Sequence, residues 1–139
     1  MPRQVFVDAD VILDLLLARE PFFDASAELF LLFQEGRMEG FTSPVVFANL
    51  FYILQQGMPA REAFIALRKL RLLLGVLSVG ETVVDRALAS SFGDFEDAIQ
   101  YYTAVARKLD AFVTRNKKDY KAAEIPILDA AECVELAGS

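Results

Sequence analysis

The stretch "QVFVDADVILDLLL", residues 4–17, decides how the rest of the chain is read. An apolar run enters at Val5, stops at Asp8, passes one small residue, meets Asp10 and turns apolar again. The first half, β-branched and aromatic, predicts a short buried strand. The second half predicts a helix beginning at Asp10 and interrupted by Pro21. Two carboxylates therefore stand at the seam between two segments that both favour burial. For Asp10 a plain explanation exists: it caps the helix, its carboxylate accepting a backbone N–H. Asp8 is harder to explain that way. It ends the strand with no basic residue near it in sequence. A buried unpaired carboxylate is costly unless it is protonated, hydrogen-bonded or metal-bound.

Working outward, the same strand-then-helix rhythm repeats. "DASAELFLLFQEG" reads as a helix with Gly36 as its stop, and "MEGFTS" as a second strand. Ser43 as cap and Pro44 at the first position open a helix over "PVVFANLFYILQQG". Pro59 opens another, "PAREAFIALRKLRLLLG", closed by Gly75, and "VLSV" (76–79) is a third strand. A helix over 81–91 follows, then "GDFEDAIQYYTAVARKL" with Asp94 as its cap. "AFVT" and "IPIL" are the fourth and fifth strands, and "DAAECVEL" is the last helix. Strands alternating with helices predict a three-layer α/β/α sandwich with a central parallel sheet of about five strands, as one domain over 1–139. In such sheets ligands bind beyond the carboxyl ends of strands where the strand order reverses. Asp8, and Thr114-Arg115-Asn116 after the fourth strand, fall at such ends.

Composition narrows the chemistry. The chain is 55% hydrophobic with 12 Phe, so a substantial core is available. A net charge of −6 argues against coating nucleic acid or anionic membrane through bulk charge. Yet six of the 14 basic residues crowd into 107–121, and Arg61, Arg68, Lys69 and Arg71 share a helix, which leaves local contact with a phosphate backbone open. A single cysteine, Cys133, precludes an intrachain disulfide and fits a reducing cytosol. No signal-like apolar core precedes the acidic pair, and the longest uncharged stretch, 40–60, contains two Pro, one Asn, two Gln and Gly57. A soluble, cytoplasmic protein with no membrane partner is expected. Histidine is absent, which excludes Ser-His-Asp and Cys-His catalysis and His-ligated zinc.

Two further acidic groups resemble the first. In "GDFEDA", Asp94 and Asp97 stand as in a capping box, which needs no function to explain it. In "VTRNKKDY", Asn116 and Asp119 directly follow the fourth strand and read in isolation as an ordinary polar loop. Together, however, the three groups put carboxylates where an α/β sheet gathers them at one edge. Clustered carboxylates repel, and a hard divalent cation such as Mg²⁺ or Mn²⁺ removes the conflict. Such a cation activates water and steadies charge on a phosphoryl oxygen, so a chain without histidine can still cleave a phosphodiester. Arg115, Lys117 and Lys118 beside these acids are candidate phosphate contacts, with a solvated loop as the bland alternative. Tyr101, Tyr102 and Tyr120 are candidate stacking platforms for bases, although the first two sit on an apolar helix that favours the core.

The order and spacing of "VFVDADVILDLLLAREPFF", "TSPVVFANLFYIL", "DFEDAIQYYTAVARKLDAFVTRNKKDY" and "IPILDAAE" resemble the PIN domain family, in particular its VapC-type toxin nucleases, over essentially the whole chain. The resemblance implies a parallel sheet with acids gathered at one edge around Mg²⁺ or Mn²⁺. By position, Asp8 matches the first family acid, Asp97 the acid opening the late helix, and Asn116 with Asp119 the acidic group after strand four. Asp10 replaces a polar residue, often Asn, and Asp94 is an additional acid; both are further candidate metal contacts. The family's second acid, usually Glu, falls at Asn49, an amide that can orient ligands but brings no charge. The activity implied is a metal-dependent endoribonuclease, the toxin of a type II toxin–antitoxin pair, with RNA as substrate, an antitoxin as partner and a homodimeric state. The Phe-rich "EPFFDASAELFLLF" reads first as core and second as a dimer face or antitoxin groove. Asn49 also supports an alternative, a weak or inactive PIN module that binds RNA or a protein. More distantly, Asp8-x-Asp10 is similar to the opening motif of haloacid-dehalogenase-type phosphohydrolases, with Asp8 as nucleophile.

Overall fold

The structure is a computed structural model that describes residues 2–120 and 123–138. Lys121, counted above in the basic cluster, lies outside the described residues. The elements are β1 (Arg3–Val7), α1 (Ala9–Leu16), α2 (Phe23–Gln34), β2 (Met38–Thr42), α3 (Pro44–Gln55), α4 (Ala60–Arg71), β3 (Leu74–Val76), α5 (Glu81–Ala89), α6 (Phe95–Ala106), β4 (Ala111–Val113), a 3-10 turn (Lys117–Tyr120), β5 (Ile127–Leu128) and α7 (Ala130–Ala137). The five strands form one parallel sheet in the order β3-β2-β1-β4-β5. Helices cover it to give the α/β/α sandwich that the alternation predicts. Among the described residues no helix is long and apolar enough to cross a membrane.

The central position of β1 follows from its composition. Val5, Phe6 and Val7 are fully buried between β2 and β4, as are Ala111, Phe112 and Val113 of β4. A strand covered on both faces must be apolar throughout rather than alternating. Phe6 and Phe112 are register partners whose rings stack at 5.1 Å between centroids. The strand order reverses beside this pair, since the chain builds outward through β2 and β3 and then crosses back to β4. That reversal puts the carboxyl ends of β1 and β4 next to each other.

The third strand begins earlier than the sequence reading placed it. The helix before it ends at Arg71, and Leu74–Val76 pair with Gly40, Phe41 and Thr42, so "VLSV" is strand only at its first residue. Gly75 is therefore not a helix stop but a strand residue opposite Phe41. A Cβ there would lie 2.6 Å from the Phe41 ring, so the close approach requires glycine. Gly36, by contrast, does end its helix, with φ at +73°.

The Phe-rich corner divides between core and surface. Phe30 and Phe33 are buried edge-to-face at 5.1 Å, while Phe22 and Leu31 face outward. Tyr101 and Tyr120 are buried in an aromatic cluster with Phe92 and Phe112, which removes both as stacking platforms. Tyr102 is half-buried, and its face is covered by the Arg86 guanidinium at 4.5 Å.

Candidate active site

The carboxyl end of β1 is fixed by its neighbour. The Asp8 N–H donates to the Val113 carbonyl at 2.9 Å, which continues the β1–β4 ladder by one residue. Asp8 then leaves the strand with extended backbone and caps α1, its Oδ1 accepting from the Ala9 N–H at 2.8 Å. The cap is thus Asp8, not Asp10. Extended backbone suits both a strand end and an N-cap, so one residue fills both roles and Asp10 moves into the first turn.

Thr114, the residue after β4, is the hub between the two acids. Its hydroxyl lies 3.0 Å from Asp8 Oδ2 and 3.3 Å from Asp10 Oδ2, and it accepts from the Asn116 N–H at 3.1 Å. A hydroxyl has one proton to donate, so only one of the two carboxylates receives it at a time. Asp10 also accepts from the backbone N–H groups of Val11 at 2.7 Å and Arg115 at 3.1 Å. Sequence reasoning placed Thr114 at the ligand-binding end of the sheet but gave it no role. The available signal was a hydroxyl at the exit of an apolar strand, opposite an acid that ends its neighbour.

The late helix brings the second group. Asp94 caps α6, accepting from the Asp97 N–H at 3.0 Å, and Asp97 is half-buried in the first turn. Asp119 is exposed on the 3-10 turn and takes a short hydrogen bond from the Asn116 side chain. The buried Tyr120 hydroxyl faces these acids: burial first, then the charges of Asp8, Asp97 and Asp10, push its pKa up, so it stays protonated. It lies near enough to Asp97 to favour that carboxylate without closing a hydrogen bond of ordinary length.

The electrostatics bind these parts together. Asp8 is 8% exposed, and its pKa is pushed up to about 7 by burial, then by Asp10 and, more weakly, by Asp97. Asp97 is pushed up to about 6 by burial and by the charges of Asp94, Asp119 and Glu96. Asp10 is raised too, mainly by burial, against the pull of the Arg115 N–H. Asp8, Asp97 and Asp119 thus belong to one electrostatic neighbourhood, linked through Asp97. Among the described residues neither Asp8 nor Asp97 pairs with a lysine or arginine.

The other expected residues are less convergent. Among the described residues, no three Asp, Glu, Cys or His side chains stand close enough to hold an ion between them. The donor set suits a hard cation carried by two carboxylates, Asp8 and Asp97, with water completing the shell, which is the usual way Mg²⁺ is held. Asn49 is half-buried on α3 and makes no side-chain hydrogen bond among the described residues. The Arg115 guanidinium is engaged by Asp14, and Lys117 Nζ pairs with Glu132 at 2.5 Å. Lys118 is exposed and makes no ion pair among the described residues. Asp10, Arg115, Asn116, Lys117 and Lys118 together line an open depression of about 470 Å³.

Comparison with known proteins identifies the family and the fold. A family model described as the PIN domain covers residues 4–118. Ribonuclease VapC1 of Aquifex aeolicus (strain VF5) is 23% identical over 138 residues, spanning 96% of this chain and 94% of that protein. A toxin–antitoxin complex from Klebsiella pneumoniae contains a chain that superposes with a TM-score of 0.68 at 16% identity, covering 91% of this chain and 97% of the other. PAE2754 from Pyrobaculum aerophilum superposes with a TM-score of 0.65 at 18% identity over 100% of both chains.

Proposed function

The chain belongs to the PIN domain family, and from that premise we propose that it is a divalent-metal-dependent endoribonuclease, the toxin half of a type II toxin–antitoxin pair. The observation that carries the reading is Asp8: a buried carboxylate at the switch point of the sheet, with no cationic partner and its pKa pushed up to about 7. A buried carboxylate left this strained after its hydrogen bonds to Ala9 and Thr114 is the kind of group that functional sites use to hold something positive.

In this reading Asp8 and Asp97 hold a Mg²⁺ or Mn²⁺ ion. Asp119, Asp94 and Asp10 add negative charge around it, and Asn116 orients Asp119. Such an ion supplies an activated water and charge stabilisation at phosphorus. Thr114 steadies whichever of Asp8 and Asp10 its single proton reaches. The Tyr120 hydroxyl, held protonated, offers a hydrogen-bond donor toward Asp97. Lys118 is free to meet an RNA phosphate, and Lys117 can do so by exchanging its exposed partner Glu132. The relatives' names supply the RNA substrate and the antitoxin partner. A homodimer working in the cytoplasm completes the proposal.

The test compares wild type with Asp8→Asn and Asp97→Asn on structured and unstructured RNAs, with Mn²⁺, with Mg²⁺ and with chelator. Cleavage that needs a divalent ion and is lost in both variants is expected. Wild-type cleavage that survives chelation refutes the metal role.

A second reading has specific support. Asn49 takes the position of a family acid, and no three acids close around one point among the described residues. Both favour a PIN module that binds RNA or a protein without cutting it. RNA binding by wild type with no cleavage under any metal condition would establish that reading. The dehalogenase-type alternative is set aside by the family match.

A further inference from the structure

The Arg115 side chain is held in a way that a phosphate-binding arginine is not. Asp14 lies on α1, one turn after Asp10, and is 1% exposed. Its Oδ2 accepts from Arg115 Nε at 2.7 Å and its Oδ1 from Nη2 at 3.0 Å, a side-on bidentate pair. The guanidinium carbon sits 4.0 Å from the centre of the Phe22 ring, so one face of the group is covered by the corner between α1 and α2. In the same residue the backbone N–H reaches Asp10 Oδ2 at 3.1 Å. Thr114, immediately before it, reaches Asp8 Oδ2 at 3.0 Å.

Two anchors one turn apart on α1, Asp10 and Asp14, are therefore gripped by the backbone and the side chain of one residue. Paired N–H donors in a rigid fork fix direction as well as distance, which a lysine ammonium does not. With the guanidinium held by Asp14 and the backbone N–H by Asp10, the peptide joining Thr114 to Arg115 is tethered to α1 at two points. Those tethers set where the Thr114 hydroxyl and the Arg115 N–H meet the two carboxylates.

We infer that Arg115 is a positioning residue. By clamping Asp14 it fixes the exit of β4 against α1 and so pre-orders the Asp8–Thr114–Asp10 group, from which Asp8 meets the cation. This rests on the metal-dependent reading given above. It differs from a direct phosphate contact, for which only Nη1 and the remaining Nη2 proton are left.

The experiment measures Mn²⁺ affinity by electron paramagnetic resonance titration, beside kcat and KM on RNA, for wild type, Arg115→Lys and the uncharged double variant Asp14→Asn/Arg115→Gln. The double variant avoids a buried lone carboxylate and keeps the test informative if a single change disturbs folding. Loss of an outer partner of a metal ligand weakens metal binding by about 10–100-fold. The expected result for both variants is a rise in Mn²⁺ Kd of that order and a parallel fall in kcat, with KM for RNA within about twofold of wild type. A raised KM with unchanged Mn²⁺ affinity would make Arg115 a phosphate contact and overturn the inference. So would lowered thermal stability with both Mn²⁺ affinity and kcat intact. If wild type itself neither binds Mn²⁺ nor cuts RNA, the functional reading fails first and the clamp has nothing to serve.

Discussion

Replacing Asp8 by Asn should stabilise the metal-free protein, and more so as pH rises. A carboxyl group raised from 3.8 to about 7 holds its proton more tightly in the folded chain than in the unfolded one. Its folded-state penalty is absent below the unfolded value, grows as pH rises between the two values, and is complete above the folded one. The full penalty corresponds to about 4 kcal/mol, and at about pH 5 to between about 1 and 2 kcal/mol. Asn keeps the shape, can accept from the Ala9 N–H, and ranks with Asp as an N-cap. Its amide can donate to the Thr114 hydroxyl while that hydroxyl donates to Asp10. The relief should therefore grow by about 2–3 kcal/mol between about pH 5 and about pH 8. For a chain of this length that widens the Tm gap between variant and wild type by about 10 °C. The assay is thermal melting by circular dichroism, with chelator, at both pH values. Adding Mn²⁺ should raise the wild-type Tm at the higher pH and leave the variant nearly unmoved. An equal Tm gap at both pH values, or a variant less stable than wild type at the higher one, would refute the claim that Asp8 is strained by burial and like charge.

Three other outcomes follow from the same geometry. On the proposal that deprotonated Asp8 and Asp97 hold the cation, Mn²⁺ Kd measured by calorimetry should rise about tenfold per pH unit just below about 7. Below about 6, where Asp97 also protonates, the rise should steepen toward about a hundredfold per unit; a flat dependence would remove one or both from the site. Gly40→Ala should cost about 1–3 kcal/mol in urea denaturation, because overpacking strains a filled core. The new Cβ would lie 2.5 Å from the Phe33 ring and 2.7 Å from Leu74, so a neutral outcome would mean that this core yields easily. Asn49→Glu should lower Mn²⁺ Kd by about tenfold, since charge count tunes such sites, and unchanged affinity would show that α3 does not reach the ion.

How much of this was legible in the sequence depends on the range of the signal. The sheet was legible because a parallel strand between two neighbours is apolar on both faces, as "VFV" and "AFV" are, and helix signals separate most of the strands. The third strand was placed too late because "LRLLLGVLSV" is almost unbroken apolar chain, where periodicity cannot separate a helix end from a strand start. Gly75 in its middle had two readings, and the Phe41 ring that decides between them comes from another strand. The acids were legible for a local reason too. Asp8, Asp94 and Asp97 each stand at an element boundary, where capping geometry is encoded within a few residues.

The contacts that organise those acids were not local, and that is why they were missed. Thr114 meets Asp8 across 106 positions of chain, and Arg115 meets Asp14 across 101. Half of the second pair was visible all the same. A charged residue flanked by Leu13 and Leu15 in the apolar face of a helix, as Asp14 is, needs a cation wherever the fold can provide one. The fold narrows the choice, because β4 pairs with β1 at the switch point and its exit is one of the two strand ends beside the start of α1. Arg115 is the first basic residue there. Pairing each buried charge with the strand exit that topology puts beside it would have found the clamp. It would also have shown Arg115 to be ion-paired and left Lys117 and Lys118 as the exposed lysines beside the acids.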